Sequence, residues 1–470
     1  MKKKFFIFFL CISLIYPLPL SYALISLSEE EKIGKKVLQE ISSKIEFVQD
    51  IELVAYLNAM GKLLIEKGLD FSPFQFKFFL IKDDTFNAFS IPGGYIFINS
   101  GIFDSIDSEE ELAAIMAHEI AHNICRHIAR RIEDIKKMQI TITATILAAV
   151  LLGGGKAGEA VGLTSSALAE TKLLAYSRAD EEEADRTGFQ ILTKAGYNPW
   201  GMVRVMEKLS RQGNFAIELN YRYLLTHPLP QERLNYLINL AQKYETNKSL
   251  NLINSDPYYF KRISIKAKII SKESSNLILK YREELNKEND PWIRYSLALA
   301  LAQERFFKEA IYEMQIALKE LPFKPYFLID LAEIYFNSGD YSQTLNILEQ
   351  VKFTPNLENM WEKLYISKLQ YIKAKTLLEL SQILQAYNIF VDLEKNEMLQ
   401  NDPYFYFYFG RTCSKANKEG EAHFYFGKYY ELKGDYKTAY FHYKKALSFL
   451  SKTDTMYNKV KESLRKIESN

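Results

Sequence analysis

The sequence predicts a mainly α protein in two parts, helices around a small β-sheet followed by an α-solenoid of helical hairpins. Three observations predict it. Apolar residues recur at helical spacing along most of the chain. Two short runs, 74–81 and 95–99, are instead dense in aromatic and β-branched residues and are flanked by turn signals. Beyond about residue 245, a pattern with a period of 34 residues returns. A chain of 470 residues with 60 basic and 58 acidic side chains is long enough for more than one domain. Its lysines and glutamates are spread evenly, and the absence of any basic stripe argues against a nucleic-acid surface.

Residues 1–23 read as a signal peptide. Lys2, Lys3 and Lys4 precede an apolar run from Phe5 to Ile15, and Ser21-Tyr22-Ala23 places small residues where a signal peptidase cuts, near Ala23. The alternative is an uncleaved anchor, which Pro17 and Pro19 oppose by breaking the helix before it could span. Loss of three lysines and no acids moves the formal charge from +2 to −1. Cys125 and Cys413 then remain, far apart in sequence, so this is no disulfide-built scaffold.

The first domain is expected over residues 24–245. From Leu24 to Lys67 the chain reads as helices, with Ser28 and Glu31 as a cap. The strands at 74–81 and 95–99 follow, and the bend Ile91-Pro92-Gly93-Gly94-Tyr95 suits an exposed edge strand, since proline cannot serve a central ladder. Such an edge can take up an extended peptide through main-chain hydrogen bonds, although an ordinary hairpin fits the same residues.

The next helix carries the chemistry. Ser108 and Glu111 fit a capping box, and Leu112, Ile115, Met116, Ile120, Ile124 and Ile128 form its apolar face without a Gly or Pro to interrupt it. On that helix stands His118-Glu119-Ile120-Ala121-His122. Histidines four apart lie one above the other and can grip one metal ion, with Glu119 beside them, which is the H-E-x-x-H zinc pattern. With 6 histidines in the chain, chance would supply it on the order of 0.01 times. A catalytic zinc needs a third protein ligand and an open fourth position. A second helix, from about Ala179 to Lys194, puts Glu181 and Asp185 on one face, and we read Glu181 as the ligand and Asp185 as the carboxylate that orients a ligand. Taken alone, that acidic run would be a solvated helix face.

Between the two helices, Ile140 to Leu152 is apolar apart from three threonines and too short to span a membrane at about 1.5 Å per residue. It suits a core helix, a lid over the cleft, or a patch that meets membrane or unfolded clients. Pro228 forces His227 out of helical geometry, and Pro230 with Gln231-Glu232-Arg233 starts a further helix. Ala241 to Asp256 is polar and aperiodic, a linker to the second domain at 246–470.

In that domain Leu297, Ala298, Ala310, Ala317 and Pro322 fall on the positions of a helix-turn-helix unit. The pattern returns at Leu331, Ala332, Gly339-Asp340-Tyr341 and Thr344, and again at Gly427, Tyr430, Gly434-Asp435-Tyr436, Ala439 and Ala446. These resemble tetratricopeptide repeats, about four to six in all, whose superhelix would offer a concave surface to partners. The aromatic runs 404–409 and 424–430 read mainly as core between helices.

Four motifs in order carry a wider resemblance: Asn87-Ala88-Phe89-Ser90-Ile91-Pro92-Gly93-Gly94, the H-E-x-x-H with Arg126-His127 after it, Ser177-Arg178 with Glu181 to Asp185, and Thr226-His227-Pro228-Leu229-Pro230. Through them the chain resembles metallopeptidase family 48, most closely its periplasmic branch with a tetratricopeptide tail. The resemblance implies a zincin-type metalloprotease domain and one Zn2+ per chain, with His118, His122 and Glu181 as ligands. The three consecutive glutamates leave Glu183 as the alternative register. Glu119 would be the general base, His227 a fourth ligand that silences the resting enzyme, and Arg233 a residue facing the active site. His227 or Arg233 would stabilise the oxyanion once the loop has moved. The implied role is periplasmic quality control and assembly of outer-membrane proteins, with those proteins when unfolded or misassembled, and their assembly machinery, as partners. The alternatives are a repeat-based chaperone or scaffold with little proteolysis, and a membrane-anchored, HtpX-like protease. The last is disfavoured because no 18-residue apolar stretch follows the signal peptide.

Overall fold

A computed structural model describes residues 25–134, 176–212, 223, 227, 231–246, 252, 253, 255–352, 360–396 and 398–468. The expected signal peptide and the apolar segment 140–152 lie outside the described residues.

Helices α1 (Leu27–Ser42) and α2 (Ile51–Gly68) precede a three-stranded sheet of β1 (Lys77–Ile81), β2 (Ala88–Ile91) and β3 (Tyr95–Asn99). The order is β1-β3-β2, with β1 parallel and β2 antiparallel to β3. Tyr95 and Phe97 meet Ile33, Val37 and Ile41 of α1 on one face, while Ile96 and Ile98 meet α2 on the other. Both faces are covered, so every residue of β3 is buried and the period-2 alternation carries no polar side.

Several expectations change here. The first strand begins at Lys77 rather than Phe74, and β2 was not anticipated. The Pro92 bend is the turn between β2 and β3, closed by Gly93 and Gly94 at φ +86° and +84°, which side chains with a Cβ rarely adopt. β2 is a sheet edge, yet its four residues are buried, so the edge is not exposed through its side chains. The cap of α1 is Ser26 with Glu29, not Ser28 with Glu31.

Helix α3 (Glu109–Ile124) carries the histidine pair and packs against β2. Ser108 is its N-cap but forms no capping box, because Glu111 is taken by Arg204 at 3.1 Å and Lys208 at 2.6 Å. The helix also ends sooner than its apolar periodicity implied: Arg126 turns left-handed at φ +56°, and Ile128 belongs to a separate short helix, α4 (His127–Asp134). Then come α5 (Arg178–Lys194), α6 (Trp200–Gln212) and α7 (Gln231–Thr246). Ser177 and Asp180 make a capping box that starts α5. At Gly188 of α5 a Cβ would lie 3.1 Å from the His118 backbone, so the missing side chain lets α5 close on α3. The expected linker is shorter than read, since α7 runs to Thr246 with Ala241 buried.

Residues 257–468 form α8 (Pro257–Ser271), α9 (Ser274–Lys287), α10 (Pro291–Gln303), α11 (Phe307–Glu320), α12 (Pro325–Ser338), α13 (Tyr341–Gln350), α14 (Met360–Glu379), α15 (Ile383–Leu393), α16 (Pro403–Lys415), α17 (Glu419–Leu432), α18 (Tyr436–Phe449) and α19 (Thr455–Glu468). Each packs on the next, as an α-solenoid requires. The repeated motif has one local cause. Gly339 ends α12 at φ +86° and Asp340 caps α13, just as Gly434 at φ +76° precedes the Asp435 cap of α18. Ala298, Ala310, Ala317, Ala332, Thr344, Ala439 and Ala446 are fully buried where helices meet. Phe405, Tyr406, Phe409, Phe424 and Tyr425 are core, whereas Tyr404 is half-exposed.

The solenoid is welded to the first part by buried charge. Glu52 of α2 accepts from both Arg262 terminal nitrogens, at 2.5 and 2.7 Å, from Lys266 at 2.9 Å and from Lys368 at 3.1 Å. Arg262 is held on its other side by Asp330. The ring of Tyr56 meets Trp361 beside this network at 4.5 Å.

Candidate active site

One helical turn separates His118 and His122, and their Nε2 atoms stand 2.9 Å apart. From α5, Glu181 brings Oε1 to 3.5 Å from His122 and Oε2 to 3.6 Å from His118. His227 adds Nδ1, 3.4 Å from His118 Nε2 and 2.9 Å from Glu181 Oε1. All four residues are buried. Their donor atoms lie within 4.8 Å of one another. Four ligands around a tetrahedral zinc at about 2.0–2.1 Å are roughly 3.3 Å apart, so the residues present fit such an ion in both spacing and chemistry. Glu119 fits the setting as well, buried, with neither carboxylate oxygen in a well-formed hydrogen bond and with His227 Nε2 at 3.5 Å.

Of the two candidate registers, the structure brings Glu181 to the histidine pair; Glu183 points instead to His127 and Arg130. Asp185 stands 3.0 Å from His118 Nδ1, on the side away from the donor cluster. Arg233 donates to both Asp185 oxygens at 2.8 Å and reaches Glu181 at 2.6 Å, and Tyr236 donates to Asp185 as well. Arg233 thus faces the site by clamping its two carboxylates. Sequence reasoning gave no role to His127, Tyr176, Tyr223 or Tyr236. Tyr176 stacks on His122 at 3.8 Å and Tyr223 on His227 at 4.2 Å. His127 stands within the second of the four motifs and Tyr176 directly precedes the third, and those positions were the one available signal.

The electrostatics follow from burial opposed by close partners. Burial disfavours charge on His118, but the Asp185 and Glu181 carboxylates outweigh it and push its pKa up to about 10. His122 lacks such a carboxylate on its far nitrogen, and burial with the His118 charge holds it well below the usual range. Burial raises Glu181, yet His227 and His118 overcome it and keep the carboxylate ionised well below its ordinary value. Asp185 is likewise raised by burial and lowered further by Arg233. Burial pushes Glu119 up, only partly offset by His227 and His118.

Comparison with known proteins agrees with this geometry. Residues 53–241 match the family described as peptidase family M48. The chain is 29% identical over 342 residues to the "Beta-barrel assembly-enhancing protease" of Yersinia pestis, covering 72% of this chain and 69% of that one. It is 27% identical to the protein of that name from Escherichia coli (strain K12), covering 70% and 67%. It is also 27% identical over 218 residues to "Mitochondrial metalloendopeptidase OMA1" of Schizosaccharomyces pombe, covering 45% and 60%. A solved tetratricopeptide repeat protein from Parabacteroides merdae ATCC 43184 aligns with a TM-score of 0.28 and 14% identity over 56% of this chain and 99% of that one. With its H-E-x-x-H helix, converging carboxylate and the match over residues 53–241, the chain carries a peptidase family M48 domain and is a metalloprotease.

Proposed function

We propose that this protein is a zinc-dependent endopeptidase of the periplasm that serves quality control and assembly of outer-membrane β-barrel proteins, and that His227 silences it at rest. The observation that carries the reading is the convergence of His118, His122, Glu181 and His227 on one point, a set of nitrogen and carboxylate donors that suits zinc. Zinc held there acidifies water and polarises a carbonyl. Glu119 takes the proton of the attacking water and passes it to the leaving amine; its raised pKa suits a group that must both accept and release one. Asp185 fixes the ring of His118, and Arg233 keeps Asp185 and Glu181 aligned and ionised. β2, a sheet edge beside α3, takes an extended client segment by main-chain pairing, which gives affinity without fixing sequence.

His227 supplies a fourth donor where catalysis needs an open position, so turnover requires its imidazole to leave that position. The same donor favours a second reading, in which docking and folding assistance by the solenoid dominate and proteolysis is rare. Periplasmic placement is supported by the lysine-led apolar segment at 1–23, and a role in β-barrel assembly by the name that the relatives carry. No helix among the described residues is long and apolar enough to cross a membrane. Clients and the assembly machinery are the partners we assign to the concave face of the repeats.

Zinc content and cleavage of an unfolded protein substrate test the reading. Glu119→Gln should keep one zinc per chain and lose cleavage; undiminished cleavage removes the mechanism. His227→Ala should raise basal cleavage, and an unchanged rate with unchanged zinc coordination rules out the silencing role.

A further inference from the structure

His122 and His118 are supported differently. Behind His118 Nδ1 stands a carboxylate, Asp185, at 3.0 Å. Behind His122 Nδ1 stands a second imidazole, with His127 Nδ1 at 2.8 Å. His127 Nε2 in turn lies 3.1 Å from Glu183 Oε2, which Arg130 holds at 2.7 Å.

The direction of each proton in this chain follows from the role of His122 as a ligand, on which the inference rests. A neutral imidazole that presents a lone pair at Nε2 carries its proton on Nδ1. His122 Nδ1 is therefore the donor, and His127 must accept with a bare Nδ1. The single proton of a neutral His127 is then on Nε2, where Glu183 accepts it. We propose that His127 and Glu183 are positioning residues that fix the ring angle and tautomer of His122 for metal binding.

The backbone supports the assignment independently. On an unbroken helix residue 127 would point about 140° away from residue 122. The left-handed turn at Arg126 interrupts the helix and returns His127 to His122. That non-glycine turn is pinned from α1, since Arg126 donates to Glu30 at 3.1 Å and to the Ile25 carbonyl. A strained residue clamped by a partner 96 positions away in sequence points to a geometry that is held for use. His127 itself is fully buried, so its ring has no solvent to bond instead.

Zinc affinity of the metal-stripped full chain, measured by competition with a chromophoric chelator, tests this without recourse to activity. His127→Phe keeps the ring volume and removes the acceptor; it should weaken zinc about 10- to 100-fold. His127→Asn places an oxygen where Nδ1 was and should recover most of that loss, whereas His127→Gln, whose amide lies at the Nε2 position, should not. Glu183→Ala, at a half-exposed position that should not disturb folding, is expected to weaken zinc several-fold with the thermal midpoint of the metal-free protein unchanged. Imidazole 15N spectra of the zinc-loaded protein should show His127 neutral with its proton on Nε2. If Phe binds zinc as tightly as Asn, His127 is only packing, and if His127 carries its proton on Nδ1 the relay is wrong. A wild-type chain that binds no zinc would instead overturn the metal site itself, a distinct outcome.

Discussion

Glu109, the first residue of α3, offers a prediction whose sign and size both follow from the structure. Its carboxyl is buried and accepts from Tyr56 at 2.7 Å, from Ser255 at 3.0 Å and from Tyr197 at 3.3 Å. Burial outweighs these three donors and pushes its pKa from 4.5 up to about 7. Between those two values the folded protein keeps a proton that the unfolded chain has released, so stability falls as pH rises. At roughly 1.4 kcal/mol per pH unit, the loss amounts to about 3 kcal/mol, complete above pH 7 and absent below 4.5. Glu109→Gln removes the titration while its amide oxygen can still accept from the hydroxyls. Urea unfolding of wild type and variant across pH 4 to 8 isolates the term as a difference. That difference should swing by about 3 kcal/mol in favour of the variant as pH rises through the window. A difference that stays flat, or swings in favour of wild type, refutes the reasoning.

Other outcomes follow from the same physics. Glu52→Gln leaves Arg262, Lys266 and Lys368 buried around an uncharged group and should cost about 3–5 kcal/mol in urea unfolding. Because Arg262, Lys266 and Lys368 hold the Glu52 carboxyl well below its ordinary pKa despite burial, its contribution is present above the unfolded value and is lost as pH falls through the folded one. Asp185→Asn should weaken zinc about 10- to 100-fold, measured by chelator competition, with α5 intact by circular dichroism; an unchanged affinity would deny Asp185 its orienting role.

What the sequence disclosed was chemistry carried by local spacing. The pair His118 and His122 needs one turn of one helix, and the Gly339-Asp340 and Gly434-Asp435 turns need only neighbouring residues, so both were legible. Ser26-Leu27-Ser28-Glu29-Glu30-Glu31 offers two capping frames, and the packing of Ile33, Val37 and Ile41 on the sheet, a long-range contact, chooses between them. The end of α3 was hidden for a similar reason. No Gly or Pro marks it; the left-handed Arg126 is held by Glu30 of α1. β2 is four residues long, too short for a periodic signal. The clamp of Arg233 on Asp185, 48 positions away, and the bonds from Arg262 and Lys368 to Glu52, 210 and 316 positions away, leave no trace in any window of sequence.

The most direct test of the central claim is anomalous diffraction at the zinc edge from crystals of the zinc-loaded chain. The account predicts one peak within bonding distance of His118 Nε2, His122 Nε2, a Glu181 oxygen and, at rest, His227 Nδ1. A peak bound elsewhere, or ligated by Glu183 in place of Glu181, would contradict it.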